Sequence, residues 1–96
     1  MDREELIKLI QTKEIIGVDL SGQKLEKIDF SGCRIERTSF KGCEMTHCRF
    51  RNAKISWSDF RYAEIQHGTF EGAEIEFSDF YRAFIENFIK YIKCIL

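Results

Sequence analysis

The sequence predicts an all-β solenoid, in which the chain winds in successive coils around a single narrow core. Every fifth residue from Leu20 to Ile85 is large and apolar, at fourteen consecutive positions. A period of five suits neither an α-helix nor a flat strand, so the chain must turn at regular intervals. Proline, which would interrupt such a repeat, is absent. Segments with helical spacing flank the repeat, where the end coils would otherwise expose their core.

Residues 1–14 are predicted to form an N-terminal capping helix. Asp2 suits the N-cap position, and Glu5, three residues later, completes a pair similar to a capping box. A helix this short persists only when it packs against another element, so we expect its apolar stripe to cover the first coil. The stripe consists of Leu6, Ile7 and Ile10.

Residues 15–84 form the repeat. From Ala53 to Arg82 its units read AKISW, SDFRY, AEIQH, GTFEG, AEIEF and SDFYR. This region resembles the pentapeptide repeat family, whose unit holds a small residue, a variable residue, a central Leu or Phe and two further variable residues. The resemblance implies a right-handed quadrilateral β-helix with four units per coil, the central and small residues pointing inward. Residues 15–84 would then supply about 3.5 coils.

In that geometry, central residues that are twenty apart in sequence stack in ladders along the core. Phe recurs every ten residues from Phe30 to Phe80, so two of the four ladders are aromatic. Rings on adjacent coils would lie at a strand-like spacing of about 4.8 Å, which suits offset stacking. The predicted ladders are Phe40, Phe60 and Phe80; Phe30, Phe50 and Phe70; Ile35, Ile55 and Ile75; and Met45, Ile65 and Ile85.

The residue two positions after each centre predicts the type of turn. After most Phe centres it is Gly or Asn, as at Gly32 and Asn52, and both tolerate the positive φ of a type II turn. After the Ile and Met centres it is bulkier, as at His47 and Trp57. We therefore expect type II turns on the Phe-bearing faces and type I or irregular turns on the other two.

Residues 85–96 are predicted to form a C-terminal helix, because apolar residues return there to helical spacing. The apolar surface is wider than a single capping contact needs. One side would close the last coil and the other would pair with a second copy of the chain in a symmetric homodimer, unless the whole segment simply caps. The predicted dimer interface is Phe84, Phe88, Ile89, Ile92 and Ile95.

The sequence contains no arrangement typical of catalysis. Carboxylates are plentiful, but they occupy outward positions on convex faces, with no evident cleft to desolvate a pair. The stretch from Cys43 to Cys48 is rich in metal ligands, yet its cysteines point inward while His47 points outward. His47 and His67 should stack as an ordinary surface pair or as a metal- or pH-sensitive one. We predict a non-enzymatic protein without metal or cofactor, whose cysteines are reduced structural thiols.

Composition argues against several classes of protein. The apolar stretches fall short of a membrane span, and the acidic start of the chain is unlike a signal peptide. A cytoplasmic protein without a membrane partner is therefore predicted. The net charge is −1, and no segment is charged strongly enough to indicate nucleic-acid binding.

One outward column of residues is unusual for a solvated surface. Arg37, Trp57 and Phe77 occupy equivalent positions on successive coils. Exposed Trp and Arg are the residues that dominate protein interfaces, so we predict that this column binds a protein partner, whose identity the sequence does not reveal. The alternative is a self-contained cation–π and aromatic ladder.

The resemblance also implies one specific activity. Some pentapeptide repeat proteins mimic DNA and bind bacterial type II topoisomerases, protecting gyrase from quinolones. Such mimicry needs a continuous acidic stripe. On the face that includes residues 58–62, three aspartates oppose three basic residues; a second face also sums to zero, and a third reaches only −2. The sequence therefore favours a non-catalytic scaffold for protein–protein interaction over a DNA-mimic modulator of a type II topoisomerase.

Overall fold

The computed structural model describes residues 1–86 and the backbone of residues 93–95. Within this part of the chain, the helix α1 (Arg3–Gln11) precedes short strands that begin every ten residues as far as β8. Each coil therefore contributes two strands. The strands are β1 (Glu14–Ile16), β2 (Lys24–Glu26), β3 (Arg34–Glu36), β4 (Glu44–Thr46), β5 (Lys54–Ser56), β6 (Glu64–Gln66), β7 (Glu74–Glu76), β8 (Phe84–Ile85) and β9 (Lys93–Ile95).

The strands alternate between two parallel sheets on opposite faces of a four-sided solenoid. One sheet has the order β1-β3-β5-β7-β9 and the other β2-β4-β6-β8. Up to β8, paired residues are twenty apart, as Ile15 and Ile35 are. Isolated parallel bridges, such as Asp19 with Ser39, join the coils on the remaining two faces. The predicted solenoid is confirmed, with about four coils rather than three and a half, and measures 31 × 21 × 21 Å.

The core holds two stacks of nearly parallel Phe rings. Ring centroids of neighbours within a stack are 4.6 to 4.8 Å apart. The two stacks meet edge to face across the interior, as between Phe30 and Phe40 at 5.6 Å. One stack is Phe30, Phe50 and Phe70, and the other is Phe40, Phe60 and Phe80. The aliphatic centres Ile35, Ile55 and Ile75 are buried along a third face.

Helix α1 packs on the open end of the first coil. The Asp2 carboxylate accepts a hydrogen bond from the Glu5 amide at 2.9 Å, so the predicted N-cap is present. Leu6 is fully buried. Arg3 Nη1 donates to the Glu26 carbonyl at 2.7 Å, which ties the first helical turn to β2.

The helix ends at Gln11, three residues before the predicted end. The Thr12 hydroxyl donates to the Leu9 carbonyl at 2.6 Å, and Lys13 adopts a φ of 63°, so the chain leaves the helix before β1. The predicted stripe also needs a correction. Ile7 is exposed, while Leu9 packs against the core instead.

Corners of two kinds alternate along each coil. After each Phe centre the chain closes a hydrogen-bonded four-residue turn, as from the Cys33 amide to the Phe30 carbonyl at 3.1 Å. The residues at the third position, of which half are Gly, take positive φ there, as in the predicted type II turn. At the Ile35 corner the corresponding amide, of Thr38, donates instead to Ser58 Oγ at 3.3 Å. Bulky residues at the Ile corners nevertheless have positive φ, which excludes type I, so these turns are irregular.

A column of hydroxyl groups runs along the irregular corner that follows the Ile ladder. Ser78 Oγ accepts a hydrogen bond from the Ser58 amide at 3.1 Å. Ser58 Oγ accepts from the Thr38 amide at 3.3 Å and donates to the Ser56 carbonyl at 3.0 Å. Thr38 Oγ1 accepts in turn from the Val18 amide at 3.5 Å. The hydroxyls thus supply acceptors for amides that make no turn bond.

Ser58→Ala is expected to lower the free energy of unfolding by about 1–2 kcal/mol, because the amide of buried Thr38 loses its acceptor. A thermal melt should show a Tm several degrees below that of the parent. Ser56→Ala is the matched control, since no described residue binds the Ser56 hydroxyl. An equal Tm for the two variants would contradict the structural role of the column.

The predicted C-terminal helix is wrong where the structure describes that segment. Ile85 lies in β8 opposite Ile65, and Lys93–Ile95 form β9, which pairs in parallel with β7. The reason is that Ile85 is β-branched and continues the column of Ile65, so its backbone extends an existing ladder. The other residues of the predicted dimer interface between these strands lie outside the described residues: Phe88, Ile89 and Ile92.

Candidate functional site

Arg37, Trp57 and Phe77 lie on three successive coils at the corner that follows the Ile ladder, and are called the aromatic corner below. The Trp57 and Phe77 rings stack with centroids 4.7 Å apart and planes inclined by 15°. Trp57 is 58% exposed and Phe77 is 53% exposed. The structure therefore brings the three predicted residues into one column and leaves its two rings largely open to solvent.

The backbone at the aromatic corner is in the left-handed region. Trp57 has a φ of 52° and Phe77 a φ of 50°. This conformation costs an ordinary L-residue about 1–2 kcal/mol, and glycine avoids the cost. At the corners that follow Phe, the same position holds residues such as Gly42. The same left-handed backbone recurs at other corners, as at Lys27 and His47, so the aromatic corner is distinguished by its two exposed rings and not by its backbone.

Arg37 contacts a carboxylate rather than an aromatic ring. Its Nη1 lies 3.2 Å from Oε1 of Glu36, whose other oxygen is 2.8 Å from Nη2 of Arg34. Both arginines remain more than half exposed, so these ion pairs add little to stability. The cation–π contact between Arg37 and Trp57, which the alternative interpretation of this column requires, is not found among the described residues. The column therefore ends at the exposed guanidinium of Arg37, which is paired with Glu36.

A shallow groove of about 270 Å³ runs beside Trp57 across β3, β5 and β7. Ser56 is paired with Glu36 on one neighbouring strand and with Glu76 on the other. Because its side chain is shorter than theirs, it forms the floor of the groove. Basic residues occupy the neighbouring column at Arg34 and Lys54. The groove therefore presents both signs of charge beside an exposed indole ring.

The cysteines and histidines do not converge. Cys43 and Cys48 are buried, and their thiols donate to the carbonyls of Leu20 at 2.9 Å and Leu25 at 3.3 Å. Burial raises the pKa of the Cys43 thiol from 9.0 to about 11 and also raises the pKa of Cys48. His47 lies outside the core. Among the described residues, no cluster of three or more His, Cys, Asp or Glu side chains could hold a metal ion.

Buried Cys43 predicts a loss of stability at high pH. Its folded-state thiol keeps its proton up to about pH 11, whereas an exposed thiol ionises near pH 8.5. The free energy of unfolding should therefore be unaffected by this group at neutral pH and fall as the pH rises toward 11. Urea melts across that range would measure the fall. Cys43→Ala should reduce the slope; an unchanged slope would contradict the assignment.

Sequence reasoning missed a second group of exposed rings. Tyr62 and Tyr81 meet edge to face at 5.9 Å, and the Arg82 guanidinium lies 5.4 Å from the centre of the Tyr81 ring. Phe84, expected in the dimer interface, is exposed on β8. Tyr62 and Tyr81 are nineteen residues apart, so counting columns of twenty does not pair them.

The sequence model of the pentapeptide repeat region matches residues 14–88. The chain belongs to the pentapeptide repeat family. The match begins with β1 and extends past β8, so it includes the aromatic corner and the aromatic and aliphatic ladders of this pentapeptide repeat protein, but not Leu6 of helix α1. Among the described residues, no helix has the length and hydrophobicity needed to span a membrane.

Two solved structures of pentapeptide repeat proteins are similar to this one. A protein from the thylakoid lumen of Arabidopsis thaliana has 20% identity and a TM-score of 0.46, over 74% of this chain and 61% of its own. This pentapeptide repeat protein thus spans about three fifths of the Arabidopsis protein. A protein from the cyanobacterium Cyanothece 51142 has 10% identity and a TM-score of 0.39, over 96% of this chain and 94% of its own. No curated protein matches the sequence.

Proposed function

We propose that this pentapeptide repeat protein is a non-catalytic scaffold that binds a protein partner at the aromatic corner and the adjacent groove. The observation that carries the proposal is the pair of stacked, largely exposed rings on left-handed backbone. Pentapeptide repeat proteins are generally non-enzymatic. A binding role therefore agrees with the fold and would explain why two large aromatic side chains are exposed at this corner.

Binding at this corner would gain energy from desolvating the rings. Trp is among the strongest contributors to interfaces because it buries a large, rigid surface while offering one polar N–H. The stack holds Trp57 against Phe77 before any partner arrives, so few rotamers are lost on binding. The charges of exposed Arg34 and half-buried Glu76 along the groove would orient the partner more than they would strengthen its binding.

The alternative function, DNA mimicry directed at a type II topoisomerase, has no comparable support. The column of Asp19, Asp59 and Asp79 places three carboxylates along one face and is therefore one candidate for the acidic stripe. Arg61 binds both carboxylate oxygens of Asp59, with distances of 2.9 Å from Nε and 2.7 Å from Nη2, and its Nε lies 4.0 Å from Asp79. The column is therefore locally neutralised where mimicry needs a repeating negative charge.

Trp57→Gly tests the proposal without disturbing the fold, because glycine suits the φ of 52° at that position. Tyr62→Gly is a matched control: Tyr62 is 49% exposed and has a φ of 60° at another corner. Affinity purification from the native host should recover a partner with the parent and with Tyr62→Gly. Recovery should fall about tenfold or more with Trp57→Gly. Equal recovery with both variants would refute the site.

A further inference from the structure

A second corner carries bulky side chains on left-handed backbone, half a coil away from the aromatic corner. His47 and His67 have φ values of 57° and 54°, and Lys27 on the preceding coil has a φ of 55°. The two imidazole rings stack with centroids 5.0 Å apart and planes inclined by 17°. No hydroxyl column accompanies this corner, since the equivalent positions hold Ile28, Cys48 and Gly68.

A groove of about 680 Å³ opens beside the histidine pair and is called the cationic groove below. It is more than twice the volume of the groove beside Trp57. Ionisable and hydrogen-bonding side chains converge on it from two faces of the solenoid. Its lining includes Lys27, His47, Arg49, His67, Gly68 and Thr69.

The cationic groove contains two basic side chains and one carboxylate, to which the histidine pair adds positive charge when it is protonated. The side chains of Lys27 and Arg49 have no ion-pair or hydrogen-bond partner among the described residues. Asp29 also lines the groove: its Oδ1 accepts a hydrogen bond from the Ser31 amide at 2.9 Å, and the hydrogen bonds from Ser31 together with the charge of Arg49 lower the pKa of its carboxyl, so it offsets one positive charge there. The Thr69 hydroxyl accepts from the Glu71 amide at 3.2 Å, which leaves its own proton for a ligand.

We infer that the cationic groove binds the phosphate of a phosphomonoester, at a site distinct from the proposed protein-binding corner. The Arg49 guanidinium can donate to two oxygens of one anion, and Lys27 supplies a point charge. A terminal phosphate offers three oxygens and up to two negative charges, so it can use more of these donors than a carboxylate can. The groove is open enough for the rest of the ligand to extend along the solenoid.

The stacked histidines make the site sensitive to pH. Protonation of both rings places two positive charges about 5.0 Å apart, and an anion beside them relieves the repulsion. The charged groups facing the pair are Lys27, Arg49 and Asp29 in the groove, and Glu86, whose Oε1 lies 3.9 Å from His67 Nδ1. Two cations oppose two anions there. Protonated imidazoles therefore decide the sign of the local charge, and binding should strengthen as the pH falls.

Sulfate is a suitable first probe, because it stays a dianion while histidine titrates. In an NMR titration of the ¹⁵N-labelled protein, saturable shifts are expected at Arg49, Gly68 and Thr69. The half-saturating sulfate concentration should fall about tenfold as the pH is lowered from about 8 to about 5. Shifts that do not saturate, or that are centred on other residues, would overturn the inference.

Variants distinguish the contribution of the histidine pair to anion binding from that of surface charge in general. The double variant His47→Asn, His67→Asn keeps residues that tolerate left-handed backbone, as Asn52 already does at a φ of 58°. It should bind sulfate with no pH dependence in this range. Arg49→Gln should weaken binding about tenfold, whereas Lys41→Gln, the same charge change on another face, should not. Retained pH dependence in the double variant, or equal effects of the two glutamine variants, would refute the site.

Phosphomonoesters then identify the class of ligand and its source. The probes are a phosphoserine peptide, its unphosphorylated form, and glucose 6-phosphate. Tighter binding of the phosphopeptide would support the inference and point to a modified protein as the source. Tighter binding of glucose 6-phosphate would support it and point to a small metabolite. Binding of neither phosphate ester, or equal binding of the unphosphorylated peptide, would overturn it.

Discussion

Phe50→Ala is expected to lower the free energy of unfolding by about 3–5 kcal/mol and to abolish the cooperative melt of so small a domain. The Phe50 ring is fully buried and stacks between Phe30 at 4.8 Å and Phe70 at 4.7 Å. It also meets Phe40 and Phe60 edge to face at 6.0 and 6.3 Å. Its removal would leave a cavity where both aromatic stacks meet, and the neighbouring coils cannot close it because their hydrogen bonds fix their spacing.

Thermal and urea unfolding followed by circular dichroism would measure this loss. Phe77→Ala is the matched control, because it deletes the same side chain from the surface. That variant should change the free energy of unfolding by about 1 kcal/mol or less, since it removes one exposed stacking contact. A cooperative melt of Phe50→Ala near the parent Tm would show that the stacks contribute far less than their burial indicates.

Gly68→Ala is expected to cost about 2–3 kcal/mol through overpacking. A Cβ atom at Gly68 would lie 2.6 Å from the Cys48 carbonyl oxygen and 3.2 Å from Ile65 Cγ2. The oxygen belongs to the backbone of the adjacent coil and accepts a hydrogen bond from the Thr69 amide at 3.2 Å. It cannot move without separating the two coils at this corner.

Gly42→Ala distinguishes this clash from the ordinary effect of removing a glycine. Gly42 has a φ of 68°, and nothing lies within 4 Å of a Cβ built there, so only the left-handed backbone would cost about 1–2 kcal/mol. Hydrogen exchange of the Thr69 amide should accelerate in Gly68→Ala relative to Gly42→Ala. Equal protection of that amide in both variants would mean that the coils remain in contact and that the clash is relieved elsewhere.

Most of the solenoid could be predicted because its core allows few residue types. Each central residue must fill the same small cross-section of the solenoid interior. Large apolar residues therefore recur at every fifth position from Leu20 to Ile85. The C-terminal segment could not be predicted in the same way. Its apolar residues follow helical spacing, and the position five after Ile85 is Lys90, which breaks the repeat. The final pairing sets Glu74 opposite Lys93, a step of nineteen. Because this step is one residue shorter than twenty, counting in fives does not locate β9.

The candidate site was predicted as a column but not in its details. Equal coil lengths were enough to place Trp57 over Phe77. The partner of Arg37 depends on Glu36, an adjacent residue in the chain, and the groove depends on Ser56 being small; neither follows from the repeat. The sign of φ at the Ile corners was also missed, because residue type does not report a conformation that the coil imposes on whatever residue is present.

The twenty-residue step that is kept between coils as far as β8 also determines how the protein can change in length. Duplication of one complete coil would lengthen the rod by about 4.8 Å and leave each downstream side chain on its original face. Insertion of a single five-residue unit between Arg37 and Trp57 would instead rotate every later face by a quarter turn. The core would still be filled, yet Trp57 would move to the neighbouring corner, away from Arg37. Whole coils can therefore be added or lost while the binding surfaces are kept, whereas single units cannot.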